Sequence, residues 1–190
     1  MSALPRTRVT EEEYLQHDLS HEGKHEYVNG EMWAMAGAHG VHNLLTMNVG
    51  IAMGQRLRGS GCRALSSDMR VRVTETGLYC YPDLTVVCGK PEMAPTTPPT
   101  LLNPTVIVEV LSESTAAFDK DAKFAHYRRR VSIEAVLFVS WPERRVEHYA
   151  RGASGWTLTE AQGEEDLAIP SLRIVLPLGE VYEGMEEYLP

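Results

Sequence analysis

One carboxylate inside an apolar run constrains this chain more than any other feature. The stretch Thr105-Val106-Ile107-Val108-Glu109-Val110-Leu111 is β-branched or aliphatic throughout except at Glu109. Runs of that kind belong to strands buried on both faces. Side chains alternate along a strand, so Glu109 shares a face with Ile107 and Leu111. An unpaired carboxylate there costs several kcal/mol or is forced to take up a proton. Three arrangements answer that cost: a metal ion, a cationic side chain such as Arg70 or Arg72, or an exit to solvent at the strand's end.

The 190 residues, 43% hydrophobic and 23% charged, suit one globular domain over 1–190 with a substantial core. No apolar run approaches the ~20 residues of a membrane span, and the N-terminus lacks the apolar core of a secretory signal, so a cytoplasmic protein with no membrane partner is expected. Cys62, Cys80 and Cys88 show no CxxC spacing and read as small buried apolar residues rather than as a zinc site or a disulfide. A net charge of -8 argues against strong non-specific attraction to nucleic acid. A local basic groove with a bound divalent metal could still hold a phosphodiester.

Along the chain, Thr10 with Glu13 three positions on has capping-box spacing for a short helix over 11–16. Asn29-Gly30 predicts a hairpin turn between two alternating segments. Val41, Leu44, Leu45, Ile51 and Ala52 recur at helical intervals over 41–57. Residues 68–87 read as two antiparallel strands joined near Glu75-Thr76-Gly77, with Met69, Val71 and Val73 on an apolar face and Asp68, Arg70 and Arg72 on a polar one. A proline-rich connector without regular structure leads to the Glu109 strand. Ser112 or Ser114 then caps a helix reaching about Arg130, followed by a strand meander and a terminal piece with Leu178, Val181, Tyr182 and Met185 on one side.

Two carboxylates lie at the ends or interiors of apolar strands: Asp83 in YPDLTVV and Glu109 in VIVEVL. If those strands are neighbours, both can converge on one divalent cation. Mg²⁺ (or Mn²⁺) is the natural candidate, since it takes oxygen ligands and keeps several waters. Helical spacing sets Asp119, Lys123 and Tyr127 on one stripe, and a Lys123 ammonium reaching the site could orient water or stabilise charge on phosphoryl oxygens. The competing reading makes Asp83 a turn residue after Pro82, and Asp119, Lys120, Asp121 and Lys123 a solvated helix face. His39 and His42 read as ordinary helix-start residues. Glu26 and Glu31, flanking the Asn-Gly turn, read as exposed hairpin carboxylates. No GxSxG, GxGxxG or P-loop pattern occurs, which leaves serine hydrolase and nucleotide-fold chemistry without support.

In this order, KHEYVNGE, AHGVHNLL, YPDLTVV, PTVIVEVLSEST and FDKDAKFAHYR resemble the Uma-two family of bacterial restriction endonucleases, of the PD-(D/E)XK nuclease superfamily. The similarity covers nearly the whole chain. It implies an α/β fold, a mixed, largely antiparallel β-sheet flanked by helices with a restriction-endonuclease-like core. It also implies Asp83 and Glu109 as metal ligands in phosphodiester hydrolysis. The superfamily pattern would set its lysine two residues after Glu109, where Leu111 stands, so Lys123 takes that role only by reaching in from the next helix. The position after Ser112, often proline in the family, is Glu113. DNA is the expected substrate, and a homodimer suits cutting both strands. A catalytically inactive binding or assembly module on the same scaffold is the alternative, motivated by the acidic charge and by Leu111.

Overall fold

A Pro-Asp step divides the structure. The computed structural model describes residues 8–35, 40–111 and 116–188, with the side chains of 116–119 outside that description. His39, Ser112, Glu113, Ser114 and the Asp119 side chain therefore lie outside the described residues. The elements are α1 (Glu11–Ser20), β1 (His25–Val28), β2 (Glu31–Ala34), α2 (Gly40–Arg56), β3 (Cys62–Ser66), β4 (Val71–Val73), β5 (Leu78–Cys80) and β6 (Leu84–Cys88). They continue with β7 (Met93–Ala94), β8 (Thr100–Leu101), β9 (Val106–Leu111), α3 (Ala116–Tyr127), β10 (Ala135–Ser140), β11 (Arg145–Gly152), β12 (Gly155–Gln162), β13 (Asp166–Ile169), β14 (Ile174–Pro177) and α4 (Leu178–Val181).

The architecture is mixed α/β and largely antiparallel, divided into two six-stranded sheets and one two-stranded sheet. The first sheet runs β2-β1-β5-β4-β8-β7 and the second β12-β11-β10-β9-β6-β3, with β13-β14 apart. Residues 78–87, expected to form one strand, are split between sheets: β5 pairs with β4 and β1, and β6 with β3 and β9. The physical reason is Pro82, which has no N–H to give a ladder and so ends one pairing before the next begins. The connector also differs from expectation. Its β7 and β8 pair with each other, and β8 pairs with β4, at the edge of the first sheet.

β9 is buried on both faces. Val106, Val108 and Val110 join the core under α2 formed by Val41, Leu45, Val49, Ala52 and Met53. Ile107 joins a second core with Val71, Val73, Leu78, Val136 and Phe138. Each such side chain stabilises the fold by about 1.5–3 kcal/mol relative to exposure. In α2 the expected Val41, Leu45 and Ala52 are buried and Leu44 packs against the core, while Ile51 is exposed and Val49 and Met53 complete the inward stripe. The capping box at Thr10 and Glu13 is formed, and α1 runs on to Ser20. Asn29 and Gly30 both have positive φ, as a two-residue hairpin turn of type I′ requires.

Two further expectations are corrected. Arg70 does not face solvent: its guanidinium is fully buried and bonds Asp18 Oδ2 at 2.7 Å, Thr100 Oγ1 at 2.8 Å and the Pro98 carbonyl at 2.8 Å. Asp18 also accepts from the Tyr81 hydroxyl at 2.5 Å, so a buried network replaces solvent. Cys62 and Cys88, opposite each other on β3 and β6, form a disulfide, while Cys80 is free and buried. Spacing along the chain carries no trace of that cross-strand pairing. No helix among the described residues is long and apolar enough to cross a membrane.

His148 on β11 is buried, its Nδ1 3.1 Å from the Thr159 hydroxyl, and burial holds its pKa below the ordinary 6.5. Below pH 6.5 the unfolded chain takes up a proton that the native imidazole refuses. The stability is therefore present above that pH and lost as pH falls through it. The urea midpoint is expected to fall between about pH 7 and pH 5, with a smaller fall in His148→Gln, as equilibrium unfolding at each pH will measure.

Candidate active site

Antiparallel pairing of β6 and β9 joins Leu84 to Val108, Thr85 to Ile107 and Val86 to Val106. Continuing that register by one step sets Asp83 opposite Glu109, on the face that carries Ile107. Asp83 stands where the chain leaves the first sheet for the second. Its Oδ2 accepts the Val110 amide at 2.7 Å and lies 3.2 Å from His42 Nε2, in the first turn of α2. That contact raises the His42 pKa above its ordinary value, against the opposing effect of burial.

α3 crosses the sheet above these carboxylates. Lys123 and Tyr127, one helical turn apart, both reach Glu109 Oε1: the ammonium at 3.3 Å and the phenol, donating, at 2.5 Å. Lys120 takes a different strand and bonds both oxygens of Glu147 at 3.0 and 3.1 Å. Glu109, Phe138 and Glu147 stand side by side across β9, β10 and β11. The two lysines thus tie α3 down on either side of Phe138, which packs edge-on against Phe124. Neither lysine belongs to a solvated face.

Glu26 completes the group. Its Oε1 is 3.1 Å from Lys123 Nζ, an ion-pair approach without hydrogen-bond alignment, and its Oε2 accepts from the Trp33 indole at 3.3 Å. Glu26 and Glu109 are each 5% exposed and Asp83 is 9% exposed. Burial, then the negative charges of Asp83 and Glu26, outweigh Lys123 and push the Glu109 carboxyl up to about 7. Burial works against the Lys123 ammonium, yet the carboxylates of Glu109 and Glu26 hold its pKa well above the usual lysine range.

The structure therefore brings Asp83, Glu109 and Lys123 together, with Tyr127, Glu26 and His42. Arginine is not the answer to Glu109's burial: Arg70 pairs with Asp18 and Arg72 with Glu11. Glu26 is not an exposed hairpin carboxylate, because its strand turns that face inward, while Glu31 is exposed as expected. His42 is more than a helix-start residue. The turn at Asn29-Gly30 fixes a register that pairs Glu26 with Trp33, a signal that could have marked Glu26. Nothing local marks His42.

With this geometry in view, the comparisons decide the family. Residues 11–179 match the Uma2 (Uma-two) family, whose description is "Putative restriction endonuclease". The chain belongs to the Uma2 family. Among relatives of this Uma2 protein, sll1609 of Synechocystis sp. is 36% identical over 166 residues, covering 86% of this chain and 94% of the relative. A second Synechocystis protein, slr1290, is 29% identical over 184 residues, 96% of each chain. Both are described as uncharacterized. Among solved structures, a "putative nuclease belonging to DUF820" from Anabaena variabilis superposes with a TM-score of 0.71 at 13% identity. The match covers 90% of this Uma2 chain and 98% of that one, and it establishes a shared fold.

Proposed function

We propose that this protein is a divalent-metal-dependent endonuclease that hydrolyses DNA phosphodiester bonds, with Asp83, Glu109 and Lys123 at its centre. The observation that carries the reading is the apposition of Asp83 and Glu109 across β6 and β9, with the Lys123 ammonium on Glu109. Family membership and the shared fold support it.

The donor set fits a hard cation. Three buried carboxylates, Glu26, Asp83 and Glu109, gather around the Lys123 ammonium and the His42 imidazole, an oxygen-rich group. Among the described residues no three metal-ligating side chains gather into a closed site. Mg²⁺ does not need one, since it is commonly held by one or two carboxylates with waters filling its remaining positions. Asp83 and Glu109 would hold it, and when bound it would acidify a water and polarise a phosphoryl oxygen. The Val110 amide and His42 fix one oxygen of Asp83 and thereby orient the carboxylate. Tyr127 fixes Glu109 in the same way. Lys123 stays protonated and is a donor for charge developing on phosphoryl oxygens. A two-fold dimer would present two such groups to the two strands of a duplex.

Leu111 favours a second reading, a non-catalytic binding or assembly module. It packs against the second core where the superfamily pattern would have lysine. One experiment separates the two: calorimetry with Mg²⁺ and Mn²⁺, then incubation with supercoiled, linear and single-stranded DNA. Binding with metal-dependent cutting is expected, and both are expected to be lost in Asp83→Asn. Absence of binding and cutting in the wild type would leave the module.

A further inference from the structure

We propose that Glu26 is a positioning residue for Lys123, keeping the ammonium in the site when a cation binds Glu109. The inference rests on the hydrolytic reading above and assigns a role that reading does not contain. Lys123 stands between two carboxylates that arrive from different sheets, Glu26 on β1 of the first and Glu109 on β9 of the second. With Glu109 alone, the lysine and a divalent cation would compete for one carboxylate. Lys123 and Tyr127 already occupy Oε1, and the charge of a cation on the same carboxylate would repel the ammonium.

Glu26 removes that competition. Its side chain is 6% exposed, and its Oε1, buried without an aligned hydrogen bond, points at Nζ from 3.1 Å. The Trp33 indole anchors the other oxygen from the directly opposed position on β2. The hairpin register therefore sets where the Glu26 charge stands, and that charge sets where Nζ stands. The Glu26 charge, held by Trp33, thus stays beside Nζ whatever Glu109 binds. A third ligand for the cation is the competing role, and it makes a different demand: loss of Glu26 would then weaken metal binding as severely as loss of Glu109.

The test compares wild type, Glu26→Gln, Glu26→Asp and Glu109→Ala by three readouts. These are DNA cleavage kinetics, Mg²⁺ calorimetry and NMR of ¹⁵N-labelled lysine ammonium groups. In Glu26→Gln, kcat is expected to fall roughly 10- to 100-fold, the scale of a small misplacement of a catalytic group. KM for DNA and Mg²⁺ affinity are expected to stay near wild type, and the Lys123 ammonium resonance to shift or exchange away. Glu26→Asp, which keeps the charge, should recover part of kcat. An unchanged kcat with an unchanged Lys123 resonance would overturn the proposal, as would a loss of Mg²⁺ affinity equal to that of Glu109→Ala. A wild type that cuts no DNA would remove the hydrolytic reading alone. The Lys123 resonance, read without any substrate, would then decide whether Glu26 holds the lysine.

Discussion

Replacing Glu109 by alanine is expected to abolish Mg²⁺ binding and to lower metal-dependent DNA cleavage by about 10³-fold or more, the scale of removing a preorganised electrostatic group from an active site. The fold is expected to survive. A buried carboxylate is itself a burden, since it is 5% exposed and its pKa is pushed up to about 7. Removing it relieves that desolvation, and Lys123 keeps Glu26 as its counter-charge. The side chains packed on the strand, Ile107 and the valines on its other face, are untouched. Activity and stability should therefore separate: cleavage lost, and stability lowered only by about 1–3 kcal/mol for the buried Tyr127 hydroxyl left without its acceptor. Retention of full metal-dependent cleavage by Glu109→Ala would remove this residue from the chemistry. Glu109→Gln, with its volume preserved and its charge gone, should behave as the alanine variant does.

The largest effect on stability is expected at Arg70, which makes no hydrogen bond or ion pair with Asp83, Glu109 or Lys123. Its side chain and that of Asp18 are 0% and 1% exposed, and their 2.7 Å contact lies inside a network with Tyr81, Thr100 and the Pro98 carbonyl. Arg70→Met keeps an apolar stem and leaves the buried Asp18 carboxylate without its guanidinium, with only His25 Nδ1 at 3.7 Å as an ion-pair partner among the described residues. Breaking one side of a buried pair costs about 3–5 kcal/mol. For a chain of this size that lowers the thermal midpoint by roughly 10 °C. The double variant Asp18→Asn with Arg70→Met should lose less than the single one, because no charge is left stranded. Calorimetric melting of the three variants measures both effects. A double variant less stable than Arg70→Met would show that the pair is not the source of the loss.

Much of the candidate site was legible because its signals are local. A carboxylate in VIVEVL is anomalous on its own strand, Pro82-Asp83 stands at the entry of the next apolar run, and Lys123 and Tyr127 fall one turn apart on a helix. The contacts that complete the group are long-range. His42 meets Asp83 only because α2 starts where the chain crosses between sheets. Glu26 meets Lys123 only because the first hairpin folds over α3 from another sheet. Arg70 was misread for the same reason: alternation along β4 gave it a polar face, and Asp18, 52 residues away, made that face an interior. The turn chemistry at Asn29-Gly30 and the cap at Thr10 depended on three or four residues and came out as expected. The Cys62–Cys88 bond depended on strand register, which periodicity does not carry.

The short passage from Cys80 through Pro82 to Leu84 is one of several places where the chain crosses between the two sheets, with β3 to β4 and β8 to β9. Parting the two sheets would draw Glu26, on β1 of the first, away from Lys123 and from Glu109 on β9 of the second. On the hydrolytic reading proposed above, a molecule opened in that way would lose the placement of its lysine.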